Sequence, residues 1–428
     1  MKRSLDTQWF NYVLLALVVS GFGPRLGAQT MCGGGTGTAC VLTWQNDNWR
    51  TGQNLNETSI TNQASQLPPA PVTIPASTSW LQVGFDARQT YFNPYENVLN
   101  ARNVRRLTVL WQTELNAAGE ANSVPVPGLT TYADIIIAGD NGADSSLSGL
   151  DETSGGYVWQ THSANGAAAI SEGLAFSSDG GQQLSAVNAT NGATVWIASL
   201  KTPLSNSPAP STAAGGVVLV SDASGIFWAV DQATGRILWN YSILAPATYP
   251  AAAANGRVFV CGGGCYAFNQ SGGLLWYLGS GSGSSVLASG TMVFASTISG
   301  TFALDAATGH TIWRYTGLGG SSVAAALANG TLYTSGRSIA ALNAGTGAVI
   351  WTAPVSTRFP VAVANGVLYA VADGGVLYAI DAQTGATLRR IPTDSPATGP
   401  IVVNGRVFLG TSDEYVGGAY IWAIGITP

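Results

Sequence analysis

Few side chains in this chain are equipped for chemistry, and their spacing says which chemistry is on offer. Four cysteines fall in two close pairs. Cys32 and Cys40 flank a Gly-rich run, and Cys261 and Cys265 flank Gly262, Gly263 and Gly264. A Cys-x3-Cys pair across a glycine turn can bring its Cα atoms to the ~5.5 Å that a disulfide needs. A structural metal site wants four ligands, and the only two histidines, His162 and His310, are near neither pair in sequence. In an exported chain such local pairs read as disulfides. Cys32–Cys40 and Cys261–Cys265 are the expected bridges.

Carboxylates recur at one place. Asp151, Asp231, Asp305 and Asp381 each open an Asp-x-x-[Thr/Ser]-Gly run. An Asp side chain there can bond the backbone two residues on, and Gly takes the left-handed position that closes a hairpin. These four therefore read as turn residues rather than acids or bases. The run Asp140-Asn141-Gly142-Ala143-Asp144 has the oxygen ligands for Ca²⁺, though a polar loop without an ion is the simpler reading. Asp134 and Glu172 are the remaining acidic candidates on the early repeats. Two histidines support no Ser/His/Asp arrangement, and His310, just after Gly309, is expected on the surface.

These residues must be carried by regular elements, which repetition reveals. The run ALDAATGHTIW, ending at Trp313, recurs as GLDETSGGYVW to Trp159, AVNATNGATVW to Trp196 and AVDQATGRILW to Trp239. It continues as AFNQSGGLLW to Trp276, ALNAGTGAVIW to Trp351 and AIDAQTGATLR to Arg389. The spacings are 37, 43, 37, 37, 38 and 38 residues, with Arg389 in the last Trp slot. A fixed period of that length in an all-β sequence means a propeller or a solenoid.

Each period reads as four short strands. Asn-Gly is the strongest short hairpin signal, because both central residues of a type I′ turn need positive φ. It recurs at Asn255-Gly256, Asn329-Gly330, Asn365-Gly366 and Asn404-Gly405. The second turn ends in Gly155, Gly192, Gly235, Gly309, Gly347 or Gly385, and an outer Trp strand follows. A Trp series can be a cofactor box or a sugar platform. One Trp per period at a fixed strand position reads instead as core against the neighbouring repeat, each burying ~150–250 Å².

The two chain ends complete one repeat. IVVNGRVFLG and GAYIWAIG supply three strands without a Trp strand, and RRLTVLWQTEL around Trp111 is a Trp strand with none before it. Pairing them closes a ring and leaves no open sheet edge. The expected fold is all-β, an eight-bladed β-propeller of four-stranded antiparallel blades over residues 104–428. The seven internal blades are expected at 123–160, 163–199, 205–241, 247–277, 282–315, 320–353 and 357–390.

The pattern A-x-[DN]-x-x-[TS]-G-x-x-x-W resembles the repeat of pyrroloquinoline-quinone-type β-propellers. That group includes eight-bladed quinoprotein alcohol dehydrogenases. It also includes non-enzymatic eight-bladed propellers, such as the lipoprotein scaffold of outer-membrane protein assembly. The resemblance implies the fold and says little of function, since one fold hosts many functions.

Ahead of the ring, residues 1–28 read as a secretory signal, with Lys2 and Arg3, an apolar core from Tyr12 to Ser20, and cleavage after Ala28. The apolar run is too short to favour a permanent membrane anchor. The expected location is periplasmic or extracellular. Residues 29–103 read as a lead-in arm holding a weaker repeat. WQNDNWRTGQNLNETSI and VGFDARQTYFNPYENVL align at an offset of 39, across the stiff linker PPAPVTIP. Asp47 matches Asp86, Thr51 matches Thr90, Asn54 matches Asn93, Glu57 matches Glu96 and Ile60 matches Leu99. With Lys2 and Lys201 as the only lysines and a net charge of −5, the chain lacks the basic track of a nucleic-acid groove. The cluster Arg102, Arg105 and Arg106 is too small for one and reads as a solvated face.

Two functions remain. A quinoprotein dehydrogenase would hold pyrroloquinoline quinone (PQQ) and Ca²⁺ in the central funnel, with an Asp base and an Arg facing the quinone. The resemblance also implies a disulfide between adjacent cysteines and long insertions for such enzymes. Here no two cysteines are neighbours and the blades are nearly minimal. Innermost strands are expected to begin at Ser123, Ser207, Tyr249, Ser284 and Ser285, Ser321 and Ser322, Arg358 and Phe359, and Thr398. These are mostly small hydroxyls, and Arg358 is the only charge among them. Arg358 is thus the cofactor-binding candidate if the dehydrogenase reading holds. The competing expectation is a monomeric, non-catalytic propeller without cofactor or metal. It would dock another protein or an envelope component through its loop-covered faces.

Overall fold

The computed structural model describes residues 78–115, 128–140, 146–178, 182–200, 210–279, 283–317, 325–412 and 418–427. The expected signal, the first lead-in copy, the Pro-rich linker, Cys32 and Cys40 lie outside the described residues. The chain divides into two units, 1–72 and 73–428, and every described residue belongs to the second.

Eight sheets, antiparallel apart from the parallel pairing of Phe92–Asn93 with Ala362–Ala364, form an eight-bladed propeller, with no α-helix among the described residues. Blade 1 consists of Thr130–Tyr132, Ile135–Asp140, Ser146–Asp151 and Tyr157–Thr161, from axis to rim. Blades 2 to 7 follow the same order over 169–199, 212–242, 252–278, 283–315, 325–353 and 362–392. In blade 8, Ile401–Val403, Arg406–Ser412 and Ala419–Gly425 are completed by Thr108–Leu115 from the other end of the chain. Trp111 pairs with Ala423 and Thr108 with Gly425, so both ends close the ring.

Inner strands begin a few residues later than the spacing suggests. Blade 4 starts at Ala252 rather than Tyr249, blade 7 at Ala362 rather than Arg358, and blade 8 at Ile401 rather than Thr398. Pro250, Pro360 and Pro400 stand just ahead of these strands. A proline has no N–H for the ladder, so pairing starts after it. Tyr249, Arg358, Phe359 and Thr398 therefore sit in loops leading into the channel. Ser285 is a buried residue of the inner strand of blade 5, while Ser123, Ser207, Ser321 and Ser322 lie outside the described residues, as does the side chain of Ser284.

The inner hairpin turn is shared well beyond the four Asn-Gly pairs. Ala133-Asp134, Glu172-Gly173 and Gly215-Gly216 also hold both residues at positive φ. Asp134 (φ 62) thus takes the Gly position of such a turn and Glu172 (φ 52) the Asn position, so both are turn residues.

At the rim, one contact recurs at seven seams. The Trp111, Trp159, Trp196, Trp239, Trp276, Trp313 and Trp351 indoles cover Gly155, Gly192, Gly235, Gly272, Gly309, Gly347 and Gly385 of the next blade. A Cβ on any of these glycines would come within 2.6–2.7 Å of the indole. Each glycine also has φ between 70 and 83°, a conformation that L side chains resist. Each Nε1–H donates to a carbonyl in the same turn, from Trp111 to Glu152 O at 3.3 Å to Trp239 to Gln270 O at 2.9 Å. At the eighth seam, Arg389 Nη2 donates to Leu107 O at 3.1 Å in place of an indole.

The axis is built differently. The middle of each inner strand faces the channel, and residues 80–93 meet these strands in blade order. N–H groups of Thr131, Ile170, Ala253, Ala288, Leu327 and Val363 donate to the carbonyls of Trp80, Leu81, Ala87, Arg88, Thr90 and Tyr91 at 2.7–2.9 Å. Blade 3 is met by Gln82, whose side chain accepts from Ala213 N–H and donates to Ala213 O. Blade 8 is met by Asn93, whose Nδ2 donates to Val402 O at 2.8 Å. The segment bends sharply to do this, with Phe85, Gln89 and Tyr91 at φ 75, 61 and 51°.

The residues shared by the two lead-in copies are its anchors. Asp86 Oδ1 accepts from Thr90 N–H and Oγ1, while Glu96 accepts from Val98, Leu99 and Gly405 N–H. Leu99 is fully buried.

Candidate functional site

Above this segment the channel opens into a cavity of about 230 Å³. Val83 and Tyr91 of the lead-in line it, together with Leu129, Pro210, Tyr249, Pro250, Arg358, Phe359, Pro360, Pro400 and Ile401. Four of these are the prolines that precede inner strands, which is why the wall is apolar. The loops collect Tyr249, Arg358 and Phe359 at one mouth, although sequence spacing had placed them on strands. The cavity's described lining is mainly Pro, Phe, Tyr and Ile with Thr248, while Ser123, Ser207, Ser321 and Ser322 lie outside the described residues.

Arg358 is exposed at the rim, its guanidinium 5.4 Å from the centre of the Phe359 ring. Its backbone N–H donates to Asp373 Oδ1, which fixes the loop. Among the described residues an ion pair joins Arg88 to Asp86, and none engages Arg358. Tyr249 lies alongside, its phenol pushed up to about 12 by burial. Tyr91 is only 4% exposed, and its buried hydroxyl has no hydrogen-bond partner. Burial, with the Tyr249 phenol adding to it, pushes Tyr91 far above the usual range.

The other candidates are scattered. Asp140 is buried at the end of Ile135–Asp140, and Asp144 lies outside the described residues. His162 and His310 are exposed on blades 1 and 5. Asp151, Asp231, Asp305 and Asp381 each accept from the Ser or Thr three residues on. Those hydroxyls hold Asp151, Asp231 and Asp305 below the usual carboxylate range. Cys261 and Cys265 are disulfide-bonded across facing strands, Cα–Cα 4.1 Å.

Sequence reasoning passed over Glu152. It is 2% exposed where blade 8 meets blade 1, and burial pushes its carboxyl up to about 7 against the opposing Asn404 hydrogen bonds and Arg406 charge. Asn404 Nδ2 donates to both of its oxygens at 3.1 Å, and Asn404 Oδ1 accepts from Thr78 N–H. A signal existed: the same repeat position holds Ala189, Gln232, Ala306, Ala344 and Ala382, all neutral.

The lining does not fit a quinone bearing three carboxylates with a divalent cation. Among the described residues it contributes one guanidinium and no carboxylate. Among the described residues no three His, Cys, Asp or Glu side chains converge to hold a metal. Buried charge left unpaired costs several kcal/mol.

The fold is similar to that of BamB from Moraxella catarrhalis, at 20% identity and TM-score 0.59 over 74% of this chain and 97% of that one. It is also similar to the quinohemoprotein alcohol dehydrogenase ADHIIG from Pseudomonas putida HK5, at 12% identity and TM-score 0.68 over 81% of this chain and 80% of that one. A europium-containing methanol dehydrogenase shares 13% identity and TM-score 0.68 over 81% and 98%. Likeness at these identities speaks to fold alone. No curated protein matches the sequence. The profile of one family, described as outer membrane protein assembly factor BamB, matches residues 143–264, 262–357 and 335–424, and the chain belongs to that family.

Proposed function

We propose that this protein is an exported, non-catalytic propeller that serves as a binding or assembly scaffold for a protein partner in the cell envelope. One observation carries the reading: residues 80–93 run along the axis, where the dehydrogenase reading needs its site, and the funnel above them has no carboxylate among its described lining residues. Family membership supports a role in assembly. Among the described residues no helix is long and apolar enough to cross a membrane.

The decisive experiment mixes the purified protein with PQQ and Ca²⁺, removes the excess, and records absorption and dye reduction with alcohols and aldoses. Neither retained quinone nor reduction is expected. Stoichiometric retention with substrate-dependent reduction would establish the dehydrogenase instead. Export is tested separately by labelling thiols of the denatured, non-reduced protein. No reactive thiol is expected, whereas four would indicate a reducing compartment.

A further inference from the structure

We propose that the axial funnel binds a small hydroxyaryl monocarboxylate. This goes beyond the docking role and does not depend on it: either can fail alone.

The floor supplies the first reason. Tyr91 combines a left-handed backbone, near-complete burial and an unpartnered hydroxyl. Buried polar groups are nearly always paired, so an orphan calls for an explanation. The strained backbone sharpens the point, because such positions cluster at ligand clamps. In the first lead-in copy the aligned residue is Gly52, and glycine is the residue type that tolerates a left-handed backbone without penalty. The second copy carries a tyrosine where a glycine serves the backbone better, so the side chain is what the site requires. The ligand's phenolic oxygen would be the missing acceptor, met by a small turn of the Tyr91 ring that brings its covered hydroxyl to the cavity.

The rim supplies the charge. Arg358 is stacked on Phe359 and has no ionic partner among the described residues. A carboxylate matches its guanidinium. A second or third anionic group would find no counter-charge among the described lining residues.

Walls of Pro250, Pro360, Pro400, Phe359 and Ile401 suit a flat apolar ring. At about 230 Å³ the cavity is below the ~300–1,000 Å³ of typical ligand pockets. One ring with one short acid arm is therefore the size that fits.

The test is calorimetric titration of the full chain with 4-hydroxyphenylacetate, its amide, tyramine and phenylacetate. Saturable one-to-one binding of the acid is expected, with the amide and tyramine weaker by at least about tenfold. Arg358→Gln should reduce the acid to the affinity of the amide, with an unchanged Tm because the residue is exposed. Tyr91→Phe should abolish the preference for the hydroxylated acid over phenylacetate. Its Tm should hold or rise, since an unpaired buried hydroxyl is removed. Failure of the acid to saturate overturns the proposal. So does equal affinity for acid and amide, or full affinity in Arg358→Gln.

Discussion

At the rim, seven seams are made by the same pair, an indole over a left-handed glycine, with the same Nε1–H to carbonyl bond. On the axis, eight equivalent inner strands are met by different residues of one irregular segment, through backbone carbonyls on six blades and side chains on two. The rim must repeat because each twisted sheet presents the same apolar face to the next. The axis cannot repeat, since one chain cannot match eight-fold geometry with successive identical bends. The difference teaches where individuality can reside. A residue changed at one seam perturbs a packing contact, whereas a residue changed on the axis alters the only surface of its kind. Tyr91, with its left-handed backbone and unpaired hydroxyl, lies on the axis.

The comparison can be broken at several levels. The largest effect is expected where the ring closes. Truncation after Gly418 removes Ala419–Gly425, a strand with partners on both sides. The product should aggregate on gel filtration and show no cooperative melt. Wild-type melting would mean that closure does not hold the rim together.

Trp276→Ala tests one seam. The indole is 8% exposed and bonds Ala306 O at 3.1 Å, so its loss should cost about 3–5 kcal/mol in denaturant unfolding. Asn93→Ala tests the axis, removing one buried bond to Val402 O, at about 1–3 kcal/mol. An axial loss exceeding the seam loss would reverse the order of the two regions.

Glu152 joins both regions through Asn404 and Thr78, and it titrates. Its folded pKa of about 7 lies above the ordinary value of 4.5. The folded state therefore holds the extra proton between these values, and stability falls as pH rises through that window. The loss should be on the order of 1–3 kcal/mol relative to Glu152→Gln, whose own profile is flat there. Parallel pH profiles for the two proteins would refute the effect.

The smallest change is a gain. Glu172 occupies a left-handed turn position (φ 52) where four other blades use Asn. Glu172→Asn should stabilise by about 0.5–1 kcal/mol, read as a higher midpoint with an unchanged slope.

Much of this was legible without coordinates. Period, turn chemistry and the unmatched Trp111 strand led to eight blades and to the closing pair, because local turns and alternation report on contacts between near neighbours in sequence. Arg358, Tyr249 and Phe359 were legible as a group facing the channel, although the prolines beside them were not recognised as the point where pairing starts. Asp86, Thr90, Asn93 and Glu96 stood out through their duplication, without any sign of the surface they anchor to. Glu152 and Tyr91 drew no attention, since the repeats that contain them are read for what the copies share, and each of these residues is where one copy departs from the others.

Sequence alone determined the repeat, the hairpins with their left-handed glycines and the strand that closes the ring, all set by short-range sterics and periodic burial. Only the tertiary structure decided that residues 80–93 run along the axis and that Tyr91 and Arg358 line one cavity. It also decided that Glu152 meets Asn404, 252 residues away. Those contacts join segments far apart in the chain, and their partners are selected by closure of the whole ring, which no local pattern encodes.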